Sequence, residues 1–267
     1  MLGWLAVLVL AVVVASAVAA KLLMRRRAPD PGWFIDSTRA AGTLTVIGTM
    51  FSVLLAFTIF FALQTYQSAR DGASMEAIAV TELHNVADVL QGHGAGTLHG
   101  DLVCYARAVI ADEWPAMTRG GTSPTAQFWV DAMVDDFGTI QPDGPAAEAA
   151  YAQWFDQQAE RRDGRRARVA EATPSVPVPL WIVLGIGAAS VLTFMCVQAD
   201  RRESAVVQAL PIAFVSALVT SALLVVGFLD NPYSSWSGSI QPDEMRTTLS
   251  YIDDGAPAPC DESGNAT

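Results

Sequence analysis

Residues 43–90 read TLTVIGTMFSVLLAFTIFFALQTYQSARDGASMEAIAVTELHNVADVL, and the fold class turns on how that string changes near its middle. Positions 44–63 carry no charge, over the length of about 20 residues that a helix needs to cross the hydrocarbon core of a bilayer. From Gln64 the string becomes amphipathic. Met75, Ile78, Ala79, Leu83, Val86 and Leu90 recur three and four apart, and no Gly-Pro break separates the halves. This predicts a membrane helix that continues into water as one wall of a helical bundle.

The remaining chain extends that reading. Of 267 residues, 52% are hydrophobic and 16% charged, the balance of a multi-span membrane protein and not of a water-soluble enzyme. Four windows are long and apolar enough to span: 5–24, 44–63, 180–197 and 206–229. The first resembles a secretory signal, with small residues in ASAVAA. Its arginines, Arg25, Arg26 and Arg27, follow the apolar run where a signal peptide has them before it, so it reads as a retained helix. Lys21 lies near its end, placed to snorkel. The fold class is therefore all-α: four transmembrane helices and an all-helical extramembrane subdomain. The predicted organisation is a membrane hairpin at 1–63, an acidic helical subdomain at 64–179, a second membrane hairpin at 180–229, and a short helix with a disordered acidic tail at 230–267. Lys21 is the sole lysine beside 15 arginines, a bias that, with abundant Ala and Val, points to a GC-rich bacterial gene.

Four spans fix a parity: both termini and residues 64–179 share one side of the cell membrane. Residues 64–179 sum to -8 and residues 230–267 to -6, while the opposite side sums to +3. Arginines crowd the short loops of that opposite side (Arg25, Arg26, Arg27, Arg39, Arg201 and Arg202), which favours its being cytoplasmic and the large subdomain extracytoplasmic. Arg70 and the 161–168 arginines pull the other way.

Within the second span, Thr45, Thr49, Ser52, Ala56 and Ile59 form a stripe of small and hydroxyl residues at helical spacing. Close helix packing uses such residues, and Gly48 with Ser52 is a small-xxx-small pair; the lining of an ion pathway in an oligomer uses them too. Ser216, Thr220 and Ser221 repeat the ambiguity in the fourth span. Pro211 lies near that span's start, where it predicts a kink.

Helices are predicted at 98–117, 125–137, 146–172 and from Pro242 to about Ile252. Leu98, Leu102, Tyr105, Val109 and Ile110 share one face. His84, His93 and His99 lack a second ligand pair at fixed spacing and read as solvated side chains, so no metal site is assigned. Arg161 to Arg168 is diluted by Glu160, Asp163 and Glu171 and reads as a solvated face with intrahelical ion pairs. The acidic balance speaks against nucleic acid. PSVPVP at 174–179 reads as a stiff extended connector, and Tyr233 and Trp236 as interfacial aromatics. Cys104 and Cys260 fall on the same side by parity and offer a disulfide, against the simpler reading of a helix-buried thiol and a tail thiol. Cys196 lies in a span. Neither a cofactor motif nor a Ser-His-Asp or paired-carboxylate constellation stands out, so an enzyme is not expected.

Several local signatures occur in a fixed order. The Phe-rich second span runs into an extension carrying Tyr66, Glu76 and Glu82. Tyr105 is followed by Glu113-Trp114; Arg201-Arg202-Glu203 joins two spans; and Leu229-Asp230-Asn231-Pro232 closes the last. In this the chain resembles the bestrophin-like family of bacterial membrane proteins, from about Thr43 to Leu249. The resemblance implies an oligomer in which the second span lines a central pathway and its extension forms a helical vestibule. The family pattern has an aromatic and then a glycine soon after the Leu-Asp-x-Pro, whereas here Ser-Ser-Trp-Ser separates Tyr233 from Gly238. Bestrophins pass anions and keep the helical part in the cytoplasm; an acidic vestibule concentrates cations instead. The expectation is a homo-oligomeric ion channel in the lipid bilayer, passing an inorganic ion, with Thr45, Thr49, Ser52, Ala56 and Ile59 along the pathway. The competing expectation is a non-conducting membrane scaffold or sensor whose subdomain binds a partner.

Overall fold

The computed structural model describes residues 2–29, 37–90, 95–234, 236–255 and 257–267. His93, the Pro31-Gly32 turn and the aromatic pair after it lie outside these. The regular elements among the described residues are helices: α1 (Leu2–Arg27), α2 (Ser37–Leu90), α3 (Leu98–Ala108), a π-helical turn (Val109–Glu113), α4 (Trp114–Met117), α5 (Pro124–Phe137), α6 (Pro145–Ala170), α7 (Val178–Val197), α8 (Ala205–Leu229) and α9 (Asp243–Ile252), with turns and loops between them. α1, α2, α7 and α8 are the four described helices long and apolar enough to cross a membrane. Helix α2 runs 54 residues without a break, about 80 Å at 1.5 Å per residue.

The chain divides into two compact units, residues 1–64 with 174–230 and residues 65–173 with 231–267. In the first, α1 packs on α7 and α8. Phe51 of α2, Leu184, Ala188 and Val191 of α7 and Val219 of α8 make its small core. Gly187 admits the Phe51 ring: a Cβ there would stand 2.5 Å from Phe51 Cδ2. The rest of the apolar surface, including Trp4, Met50, Phe57 and Phe214, points outward, as a lipid-facing surface does. Lys21 does not snorkel free. Its ammonium donates to the Met195 and Gln198 carbonyls at 2.7 and 3.0 Å, where α7 leaves its last carbonyls unpaired. The arginine-rich loops interlock in the same manner: Arg25 donates to the Glu203 carbonyl at 2.8 Å and Arg201 to the Arg25 and Arg26 carbonyls. Asp230 fastens the proline connector, its Oδ1 accepting from Ser175 N and Val176 N at 2.8 Å each.

In the second unit, α3, α5, α6 and α9 enclose the buried side of α2's extension, and the core runs from Ala69 to Cys260. The buried stripe of α2 is Ala69, Ala73, Ala77, Val80, Leu83, Val86, Ala87 and Leu90. Met75 and Ile78, counted on that face from their size, are 40% and 60% exposed. Small residues win the inward positions because α6 comes so close. A Cβ on Gly164 would lie 2.6 Å from Glu76 N, and one on Gly72 2.8 Å from Ala167 Cβ. Tyr233 likewise belongs to the core and not to an interface: it is 4% exposed, stands edge-on to Trp114 and donates to the Ala69 carbonyl at 3.1 Å.

Residues 257–267, expected to be disordered, are held against the bundle. Trp129 Nε1 donates to the Gly264 carbonyl at 2.6 Å, Asp261 Oδ1 accepts from Ser263 N and Asn265 N, and Cys260 is joined to Cys104 as a disulfide with Cα atoms 5.7 Å apart. Composition registers charge, proline and glycine in this tail but not one tryptophan and one thiol waiting for it.

The α2 and α6 backbones touch where Gly72 faces Gly164, so Gly164→Ala should cost about 2–3 kcal/mol through overpacking that no rotamer can relieve. Urea or thermal unfolding of the detergent-solubilised protein reads this directly, with Ala152→Ser on the exposed face of α6 as a control expected to change little.

Candidate functional site

Two regions carry the chemistry: the outward face of α2 and the charged interior of the helical unit. On α2, Thr45, Thr49, Ser52 and Ala56 are exposed and Ile59 is half-buried. Thr45 and Thr49 donate their hydroxyls to the carbonyls four residues back, Ala41 at 3.0 Å and Thr45 at 2.7 Å, so both are satisfied within the helix. The α8 stripe behaves differently. Ser216 and Thr220 are buried, Ser216 donating to the Ala213 carbonyl at 3.1 Å, and only Ser221 of the three is exposed. Of two similar sequence patterns, the fourth-span one is used for packing and the second-span one is left uncovered by the other helices of its unit.

Inside the helical unit, three of the five arginines of α6 turn inward, while Arg162 and Arg166 stay on the solvated face, Arg166 3.9 Å from Asp163 one turn back. Arg161, Arg165 and Arg168 recur at i, i+4 and i+7, and the face they share includes Gly164. Arg168 has no exposed side-chain surface and bridges two equally buried carboxylates, Glu76 Oε2 at 2.5 Å and Glu113 Oε2 at 2.5 Å. Arg165 reaches Glu113 Oε1 at 2.6 Å. Tyr105 donates to Glu76 Oε1 at 2.5 Å, and Arg161 approaches the Tyr105 hydroxyl at 3.3 Å with its guanidinium 5.2 Å from the ring. The Arg168 guanidinium also lies 5.1 Å from the Trp114 ring, whose Nε1 donates to the Ile240 carbonyl.

The π-helical turn aims Glu113. Pro115 has no N–H to give the Ala111 carbonyl, and the Trp114 N–H reaches back five residues to Val109. The widened turn brings Glu113 inward, while its neighbour Asp112 faces the Ser123 hydroxyl at 2.5 Å. Burial alone would raise the Glu113 carboxyl, but Arg168 and Arg165 overcome it and hold the group below its ordinary range. Burial raises the Tyr105 phenol, so it stays a neutral donor. A second feature is a cleft of about 850 Å³ lined by His84, Asp88, His99, Asp101, Trp129, Asp136 and the tail residues 257–259. There Asp101 is pushed up to about 7 by burial and by Asp136.

Tyr66, Glu76, Tyr105, Glu113 and Trp114, which first drew attention as sequence signatures, thus hold the helical unit together. Tyr66 donates to the Gly238 carbonyl at 2.7 Å, and Gly238 adopts φ 95°, so the glycine displaced by Ser-Ser-Trp-Ser still makes a left-handed turn. Nothing in the network resembles a nucleophile with its base, since every carboxylate in it is neutralised by a guanidinium.

These features define a membrane protein of four apolar helices with an all-helical unit braced on a buried Glu-Arg network. A bestrophin-like domain matches residues 6–241, and the chain belongs to that family. Among solved structures, a mutant bacterial bestrophin homologue from Klebsiella pneumoniae aligns over 92% of this chain and 99% of its own, with TM-score 0.73 and 13% identity. Another structure of a Klebsiella pneumoniae bestrophin homologue aligns over 96% and 99%, with TM-score 0.70 and 11% identity. At such identities the likeness is one of fold. No curated protein matches the chain.

Because the Glu113 carboxyl is held below its unfolded value, its stabilisation is complete above about pH 4.5 and is lost as pH falls through the folded value. Glu113→Gln should therefore lower stability at pH 7 by about 3–5 kcal/mol, the cost of stranding buried arginine charge. The gap to wild type should narrow below pH 4.5 in thermal melts taken across that range.

Proposed function

We propose that the chain assembles as a homo-oligomer in the cell membrane and passes inorganic ions along a pathway walled by α2 from each copy. The observation carrying this reading is the uncovered stripe Thr45, Thr49, Ser52 and Ala56 on a helix whose opposite side is packed. Membership of the bestrophin-like family supports it. The hydroxyls partly replace ion hydration, and Ile59 supplies an apolar constriction that gates by dewetting. The helical unit acts as vestibule, and its charge of -8 over residues 64–179 favours cations. No catalytic role is proposed.

The same reading places both termini and the helical unit outside the cytoplasm. The arginine-dense loops at 25–27 and 201–202 are the inner anchors, and the Cys104–Cys260 bridge suits an oxidising compartment.

Purified protein in planar bilayers should conduct, with a reversal potential set by the cation gradient, and Ser52→Cys should react with a water-soluble thiol reagent and block. A silent bilayer under all salts together with an unreactive Ser52→Cys protein would mean a membrane-anchored scaffold instead. For orientation, non-reducing gels should show faster migration than reducing ones, with Cys104 and Cys260 alkylated only after reduction. Identical migration with free thiols at both positions would overturn the outside placement.

A further inference from the structure

Two histidines read from the sequence as solvated, His84 and His99, meet Asp88 in the helical unit. His84 and Asp88 lie one helical turn apart near the end of α2, and His99 stands in the first turn of α3. The two imidazoles are in edge contact, centroids 4.6 Å apart, and one ligand atom from each of the three residues falls within 4.8 Å of the others. His84 Nδ1 lies 3.9 Å from Asp88 Oδ2, and His99 Nε2 lies 3.0 Å from Asp88 Oδ1. Tetrahedral zinc, with nitrogen and oxygen ligands near 2.0–2.1 Å, sets its ligand atoms about 3.3–3.5 Å apart. The two separations straddle that value, and Asp88 is exposed enough to rotate between them.

His84 Nδ1 is buried and makes no hydrogen bond among the described residues, which leaves a ring nitrogen that can serve as a ligand. That unpaired nitrogen, beside a second imidazole and a carboxylate, is the observation that lifts this cluster above a chance His-Asp contact.

We infer that His84, Asp88 and His99 form a divalent transition-metal site of zinc type, with solvent completing the coordination from the cleft. Two imidazoles and one carboxylate select zinc, cobalt or nickel over calcium and magnesium, which want oxygen ligands alone. The cleft supplies further negative charge from Asp254, while Asp253 is paired with Arg107 at 2.8 Å, and this raises the local cation concentration without displacing the nitrogen ligands. Its wall is the tail carrying Pro259, stacked where a Cβ on Gly100 would stand 2.7 Å away and anchored through Cys260. A bound ion ties the last turns of α2 to the first turn of α3. The inference is independent of whether the protein conducts.

The test uses the full chain in detergent, freed of any polyhistidine tag and stripped with EDTA, titrated with zinc chloride by calorimetry and with cobalt chloride by visible absorption. Wild type should bind one ion per chain and give cobalt bands of tetrahedral intensity, while calcium and magnesium give no saturable heat. His99→Gln and Asp88→Asn should each weaken zinc at least tenfold, and His84→Gln with His99→Gln should abolish it with helical circular dichroism unchanged. No saturable zinc binding by wild type overturns the site. So does undiminished binding by the folded double variant, or calcium binding as tight as zinc.

Discussion

Burying the Arg168 guanidinium is the act on which the helical unit depends. A bare cation in that interior would cost several kcal/mol, so the fold must bring Glu76 from α2 and Glu113 from the π-helical turn to it at 2.5 Å each. That requirement sets the register of α6 on α2. Gly72 faces Gly164 and allows the backbones to close; one turn further along, the arginine meets the carboxylate. A slip of one turn would separate the charges and drive a glycine-sized gap against a side chain. Such a network need not add net stability over an apolar core of the same volume. What it does is penalise every alternative packing of these helices far more heavily than an oily interface would.

The membrane unit is held by different means, since apolar contact distinguishes little between a neighbouring helix and a lipid tail. Polar groups at helix ends do the tying. Lys21 caps α7, Arg25 and Arg201 exchange carbonyl contacts across the loops, and Asp230 gathers the Ser175 and Val176 amides. Each satisfies backbone groups at or between helix ends that the helices leave unpaired. Phe51 seated on Gly187 adds a close steric fit, and it leaves the other side of α2 open.

How legible this was depended on what kind of signal each feature leaves. Spans and helices follow from long periodic runs, and these agree with the structure to within a few residues from 98–117 through 243–252. The interior of the helical unit was misread wherever size or charge was taken as a proxy for burial. Met75 and Ile78 are large and exposed, while Ala69, Ala73 and Ala77 are small and buried, because interhelical distance and not hydropathy decides which side chain fits. Arg161, Arg165 and Arg168 share a helix face with Gly164, and that pairing of a glycine with inward arginines was the available clue. Glu113 could not have been found by a 3.6-residue periodicity, since the π-turn shifts its phase. Nor does any local pattern announce that His99, or Cys260 from 156 residues away, returns to α2 and α3; those are products of topology.

The surface left on α2's extension bears on the proposed assembly. Met75 and Ile78 are bordered by Asp71, Glu82 and Glu160, none of which belongs to the neutralised Arg168 network. Two unit charges 10 Å apart repel by about 0.4 kcal/mol in water but by several times that in a dry interface. Copies of this chain that turned the face inward without water would accumulate the larger figure at every acid. The arrangement is tolerable when the acids border an aqueous axis and counterions screen them, and the counterions of carboxylates are cations. In the proposed assembly Met75 and Ile78 would border such an axis, and the acids beside them would draw cations to it.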